Sequence, residues 1–274
     1  MSLYKNKYEV FYNARVKIYP GENTPDEVLI SDEYIFNPEQ WEVAERYDAF
    51  DKFSFEDERS EAVEADTKER TGSRQSWNRA RRRGYDYIRS NADLDAFVTL
   101  TFDPEVVDRT SWGDIIDKLA DWLDNRVRRH GLKYVLVPEF HKDGESYHFH
   151  GLMNFSALKL TDSGRKRHNK KVYNISDYPF GFTTVLRCSG KERTKACAGY
   201  IYKYMGKDGA GCHQTGTRYM LAGGALQKPR YQYFRVDFDA VDLPLSAVPY
   251  GAIKVTRDAE KIGGLLTEWQ NQIE

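Results

Sequence analysis

Between Tyr134 and Phe155 the chain has the pattern of a β-hairpin. Tyr134 to His141 and Ser146 to Phe155 are strand-like runs, and Lys142-Asp143-Gly144-Glu145 separates them. Asp-Gly between two such runs is the strongest short-range hairpin signal, since both residues tolerate the positive φ of a tight reversal. With Asp143 and Gly144 at the turn, residue 142 faces 145 and opposed residue numbers sum to 287. Glu139 then lies opposite His148 and diagonal to His150. The two histidines share a face because strand side chains alternate with period two. Two imidazoles and a carboxylate come within the reach of cross-strand neighbours, a facial set for one divalent cation with positions left open for substrate oxygens. His141 has the same parity and is a possible fourth ligand or a replacement for Glu139. Glu139 is preferred because it neighbours both histidines.

Other elements surround this hairpin. Phe97 to Phe102 (FVTLTF) alternates Val98, Leu100 and Phe102 against Phe97, Thr99 and Thr101, the period of a strand. A helix follows from Ser111 to His130. Ser111 and Asp114 are spaced as a capping box, Ile115, Ile116, Leu119, Trp122, Leu123 and Val127 form an apolar stripe, and Gly131 ends it. Residues 161–171 (TDSGRKRHNKK) read as a polar, basic loop, Phe182 to Arg187 as a strand, and Thr194 to Lys207 as a helix. Beyond them come a Gly223-Gly224 turn, a strand from Tyr231 to Phe238 and a terminal helix from Arg257. This order predicts an α+β fold, a central, mostly antiparallel sheet with flanking helices.

Charge is unevenly distributed. Residues 22–69 carry 17 Asp/Glu against 4 Lys/Arg, and residues 70–274 carry a net +9 within a chain total of −1. The basic remainder calls for a polyanionic partner. Candidate phosphate contacts are Arg79, Arg81, Arg82 and Arg83 on a helix-compatible segment, and Arg165, Lys166, Arg167, Lys170 and Lys171 in the basic loop. The chain divides into an acidic, irregular N-terminal extension (1–72), a core (73–215) led in by the basic helix 74–90, and a C-terminal extension (216–274) that completes or flanks the core. No apolar run reaches the length of a membrane span, and the first residues lack the apolar core of a signal peptide. Cys188, Cys197 and Cys212 have no CxxC spacing, which argues against a disulfide framework and makes a reducing cytoplasm the expected location.

The segment Tyr200-Ile-Tyr-Lys203-Tyr204-Met-Gly-Lys207 gathers four polar side chains if helical. At 100° per residue, Tyr200, Lys203, Tyr204 and Lys207 share one face. Ala198, Ile201, Tyr202 and Met205 form the apolar back, which makes Tyr202 a core residue. Burying both lysines would be costly, so the repeated Tyr-x-x-Lys has no packing purpose.

An HxH strand, a preceding FVTLTF strand and a Tyr-x-x-Lys helix some 50 residues further on together resemble the HUH endonuclease superfamily, specifically rolling-circle replication initiators. The tandem Tyr-x-x-Lys is similar to the two-tyrosine pattern of initiators from isometric single-stranded DNA phages. The FVTLTF…EFHKDGESYHFHGL arrangement resembles phage and plasmid replication-associated proteins related to the filamentous-phage gene II protein. The resemblance covers residues ~97–207 and implies a ferredoxin- or RRM-like core. It also implies a Mg²⁺- or Mn²⁺-dependent nickase acting on single-stranded origin DNA. In that reading Tyr200 or Tyr204 forms a 5′-phosphotyrosine, leaving a free 3′-OH as primer, and later re-joins the strand. Lys203 and Lys207 would hold the phosphate or lower the effective tyrosine pKa. The chain has no Gly-x-x-x-x-Gly-Lys-Ser/Thr, so unwinding would fall to a separate helicase and synthesis to a host polymerase.

The alternatives are an HUH transposase or relaxase and a non-catalytic DNA-binding replication factor. Relaxases usually place the tyrosine before HxH, and single-strand transposases are generally shorter with one tyrosine. A structural zinc site built on His148, His150 and Cys188 or Cys197 lacks finger spacing.

Overall fold

In the computed structural model of the chain, the residues described are 12–20, 24–35, 65–188, 190, 197–199, 220–248 and 251–271. They divide into two compact units, one formed by the two ends of the chain (1–19, 23–65 and 230–274) and one by residues 20–22 and 66–229. The fold class is α+β. Among the described residues, no helix is long and apolar enough to cross a membrane.

In the first unit, β1 (Tyr12–Tyr19) and β2 (Thr24–Ile35) are adjacent strands. The second unit begins with α1 (Ala65–Ser90), followed by β3 (Ala96–Phe102), α2 (Trp112–His130), β4 (Tyr134–Phe140) and β5 (Tyr147–Met153). Next come β6 (Leu160–Arg167), β7 (Lys170–Ile175), β8 (Gly181–Arg187) and the short β9 (Leu221–Gly223). The chain then returns to the first unit through β10 (Arg230–Phe234), β11 (Leu245–Val248), β12 (Gly251–Thr256) and α3 (Ala259–Asn271).

The second unit is built on a seven-stranded sheet in the order β6-β7-β8-β3-β5-β4-β9. Every one of its pairings is antiparallel. β3 lies at its centre, and the alternation read from FVTLTF is realised as Ala96, Val98, Leu100 and Phe102 buried on one face. That face packs against α2 through Ile115, Leu119, Trp122 and Leu123, and Phe149, Met153 and Val185 join the same core. Ser111 caps α2 by accepting a hydrogen bond from the Asp114 N–H, and Gly131 closes it with its N–H on the Val127 carbonyl. The opposite face carries Val135, Val137 and Leu152, buried with Ile88 of α1, Leu94 and Ala198, with Phe97 packed against them.

The first unit is a five-stranded sheet in the order β10-β1-β2-β12-β11, with α3 over Val16, Val28, Ile30 and Phe234 through Ile262 and Trp269. Asp258 starts α3 by accepting from the Glu260 and Lys261 N–H groups, one residue past the expected Arg257.

Several sequence expectations need correcting. Residues 161–171 are the greater part of a hairpin, not a loop: β6 and β7 meet at His168-Asn169, both with positive φ (51° and 60°), the geometry of a two-residue type I′ reversal. The strand expected over 231–238 ends at Phe234 because the Asn13 side-chain amide takes both backbone groups of Val236. The N-terminal segment read as irregular contains β1 and β2, and the basic helix begins at Ala65 rather than near residue 74. Of the helix expected over 194–207, residues 197–199 are helical and 200–207 lie outside the described residues.

Gly151 links the fold to the histidine strand. It sits between His150 and Leu152, and a Cβ built there would lie 2.0 Å from the Val135 carbonyl oxygen and 2.8 Å from the Leu136 Cα. These are backbone atoms of the paired strand β4, so relief requires the two strands to part. Gly151→Ala is expected to destabilise the fold by about 2–4 kcal/mol, in the range of other overpacking and backbone clashes. Urea denaturation of the variant checks this, and an unchanged midpoint would show that β4 and β5 can separate at little cost.

Candidate metal centre

The β4–β5 register is the one the hairpin turn implies. Glu139 pairs with His148, Val137 with His150 and Phe140 with Tyr147. The turn holds it there. The Gly144 N–H donates to the His141 carbonyl with Gly144 at φ 74°, and Asp143 Oδ1 accepts from the Glu145 and Ser146 N–H groups at 3.0 and 2.9 Å. The Ser146 hydroxyl and these N–H groups keep the Asp143 carboxyl well below the usual carboxylate range.

Glu139 Oε2 lies 3.1 Å from His148 Nε2 and 3.0 Å from His150 Nε2. One potential ligand atom from each residue falls within 4.8 Å of the others, and among the described residues no other group of three or more His, Cys, Asp or Glu does so. Burial pushes the Glu139 carboxyl up, but the hydrogen bonds and charge of the two histidines outweigh it and hold the pKa at about 2. The group is therefore anionic at neutral pH, as a ligand must be.

The donor set fits a divalent cation. Adjacent ligands of an octahedral ion with bonds of ~2.1 Å stand about 3 Å apart, close to the two Glu139–histidine separations. Two buried imidazole nitrogens, His148 Nδ1 and His141 Nε2, have no hydrogen-bond partner, a costly state that a cation or its water ligands would relieve. The His141 ring stands edge-on to that of His148, with centroids 4.2 Å apart, so it adjoins the triad without belonging to it. Burial, followed by the charge of His148, lowers the His141 pKa and favours a neutral ring.

Sequence reasoning passed over Thr99. On β3 it pairs with His150, and its Oγ1 lies 3.0 Å from His150 Nδ1, which fixes the ring and leaves Nε2 facing Glu139. Phe97 stacks on the same imidazole with centroids 6.1 Å apart. The signal was present in FVTLTF, where two threonines occupy the face of a central strand that an apolar pattern leaves over.

The candidate DNA contacts differ in setting. Arg79, Arg82 and Arg83 are exposed, within one arc of α1, whereas the Arg81 guanidinium lies over the Trp77 ring at 4.3 Å. Arg165, Lys166, Arg167 and Lys171 are exposed on the β6–β7 hairpin, where Lys166 faces Lys171 and Arg167 faces Lys170. Lys171 pairs with Asp162 at 2.9 Å, and Lys170 Nζ donates to the Arg187 carbonyl at 3.3 Å. Tyr200, Lys203, Tyr204 and Lys207 lie outside the described residues. Just before them, Ala198 is fully buried against Val137 and Leu152, on the sheet face that carries the triad. Cys188 and Cys197 have their sulfurs 3.4 Å apart and contribute nothing to the triad.

Residues 95–209 match the model of a family of replication-associated proteins, that of ORF2 and the gene II protein. The matched segment starts just before β3 and contains the triad and both Tyr-x-x-Lys repeats, and it supports a replication-initiator type of protein. No curated protein and no solved structure matches the chain.

Two outcomes follow from this geometry. Thr99→Val should weaken Mn²⁺ binding about 10- to 100-fold, as loss of an outer-shell hydrogen bond does, while leaving thermal stability nearly unchanged; calorimetric titration checks it. Because Glu139 has a lowered folded-state pKa, its contribution to stability is complete above its ordinary value of 4.5 and is lost as pH falls towards about 2. Metal-free Glu139→Gln should therefore show a shallower loss of stability across that window in urea melts.

Proposed function

We propose that the chain is a metal-dependent nickase and strand transferase that starts rolling-circle replication at a single-stranded origin. The observation that carries this reading is the Glu139-His148-His150 cluster, lying on paired strands inside the segment that matches the replication-associated family. Mg²⁺ or Mn²⁺ held by these three side chains would supply Lewis-acid polarisation of the scissile phosphate.

The chain's own residues account for the remaining steps. The hydroxyl of Tyr200 or Tyr204 gives up its proton and attacks phosphorus. The Tyr O–P bond forms as the bond to the 3′-oxygen breaks, and that oxygen takes a proton to become the 3′-OH primer. The phosphodiester energy is kept in the phosphotyrosine, so the reverse attack re-joins the strand without ATP. Lys203 and Lys207, on the same predicted helix face, hold the phosphate by charge. Glu139 and Thr99 keep the two imidazoles oriented.

DNA is held by the exposed arginines of α1 and by the β6–β7 hairpin. Like charges directly opposite in a two-stranded ribbon repel, and a polyanion alongside Lys166–Lys171 and Arg167–Lys170 relieves that cost. A helicase and a polymerase supplied separately complete the round.

The decisive assay incubates the protein with single-stranded DNA and Mn²⁺ and looks for a covalent adduct on a denaturing gel. Tyr200→Phe and Tyr204→Phe should each still form it, while the double variant should not, and neither single variant should complete a second cleavage and joining. An adduct that persists in the double variant overturns the assignment. Arg82→Glu with Arg83→Glu should flatten the salt dependence of binding by roughly 0.7–0.9 log units per lost phosphate contact. An unchanged slope would remove α1 from the interface.

A further inference from the structure

Thr101 of β3 is paired with His148 on one side and with Phe182 of β8 on the other, and His148 is paired with Glu139. Directly opposed residues project to the same side of a sheet. Phe182, Thr101, His148 and Glu139 therefore form one row across four strands on the face of the metal centre. The other large apolar side chains of this face, Phe97, Val135, Val137 and Leu152, belong to the cluster under α1. Phe182 is 49% exposed.

The backbone around this ring is firmly held. Gly181, at φ 148°, approaches β3 so closely that a Cβ would lie 2.5 Å from the Thr101 carbonyl oxygen. On the other side Thr183 is buried, its hydroxyl accepting from the Ile175 N–H at 2.7 Å. The phenyl group is thus presented to solvent by a paired strand rather than by a loop. Two strand spacings place its backbone about 10 Å from that of His148. A single strand with one phosphate at the triad and its path along the row brings a neighbouring nucleotide over the ring.

We propose that Phe182 is a positioning residue on which a base of single-stranded DNA flanking the scissile phosphate stacks. The proposal rests on the nickase reading in taking single-stranded DNA as the occupant. An aromatic ring without polar groups favours any base through its π-face, so the contact sets the strand's path and not its sequence. It complements the basic hairpin and α1, which act on phosphates.

The test compares binding of an oligothymidylate 15-mer with that of a deoxyribose-phosphate 15-mer lacking bases, by fluorescence anisotropy. Phe182→Ala should weaken oligothymidylate binding roughly 5- to 100-fold, the span of a lost base–aromatic stack, and leave the abasic oligomer unaffected. Phe182→Trp should retain wild-type affinity, and Mn²⁺ binding should be unchanged in both variants. Wild-type affinity of Phe182→Ala for oligothymidylate, or an equal loss on both oligomers, overturns the stacking role. A concentration-dependent dimer abolished by Phe182→Ala in sedimentation would assign the ring to contact between copies instead, and so also overturns it. The nickase reading fails separately. If the wild type forms no covalent adduct but shows the base-dependent binding, stacking stands and the nuclease falls; an adduct with no such dependence gives the reverse.

Discussion

Register between β4 and β5 is the constraint on which the metal centre depends. Strand side chains alternate with period two, so a slip of one residue would turn Glu139 to the α2 face and leave His148 and His150 without their carboxylate. The pairing of Glu139 with His148 is held at one end by the Asp143–Gly144 turn and along its length by the close approach of Gly151 to Val135 and Leu136. Neither device touches a ligand atom. Both act by fixing which residues face each other, and the 3.0 and 3.1 Å contacts of Glu139 with the histidines follow.

The central strand then separates structure from chemistry. One face of β3 gives Val98, Leu100 and Phe102 to the core under α2, and the other gives Phe97, Thr99 and Thr101 to the histidine face. Thr99 orients His150, Phe97 stacks on its ring, and Thr101 spaces His148 from Phe182. α1 covers only part of this face. The edge that remains carries the triad and the exposed phenyl ring, beside the segment of chain that continues from Ala198 into the tyrosines.

Local patterns were legible where one signal dominated. The hairpin register follows from Asp143-Gly144, the alternation of β3 from FVTLTF, and the limits of α2 from Ser111 and Gly131. The β6–β7 hairpin was hidden because its strands are exposed and charged and show no apolar alternation; the only local cue was Asn169, a residue that tolerates the left-handed region. The five-stranded sheet was hidden for another reason. β1 pairs with β10 more than 200 residues further on, Ala14 opposite Phe234, and no local pattern specifies so distant a partner. The triad itself was readable from spacing, whereas Thr99 became visible only once β3 was known to lie against β5.

Pulsed electron paramagnetic resonance on the protein loaded with one equivalent of Mn²⁺ measures the central claim directly, because it detects nitrogen nuclei bound to the ion. The account predicts a single bound Mn²⁺ with couplings from two imidazole nitrogens, one of which disappears in His148→Ala. Mn²⁺ that retains only water and carboxylate ligands, or nitrogen couplings that are the same in His148→Ala and wild type, would contradict it.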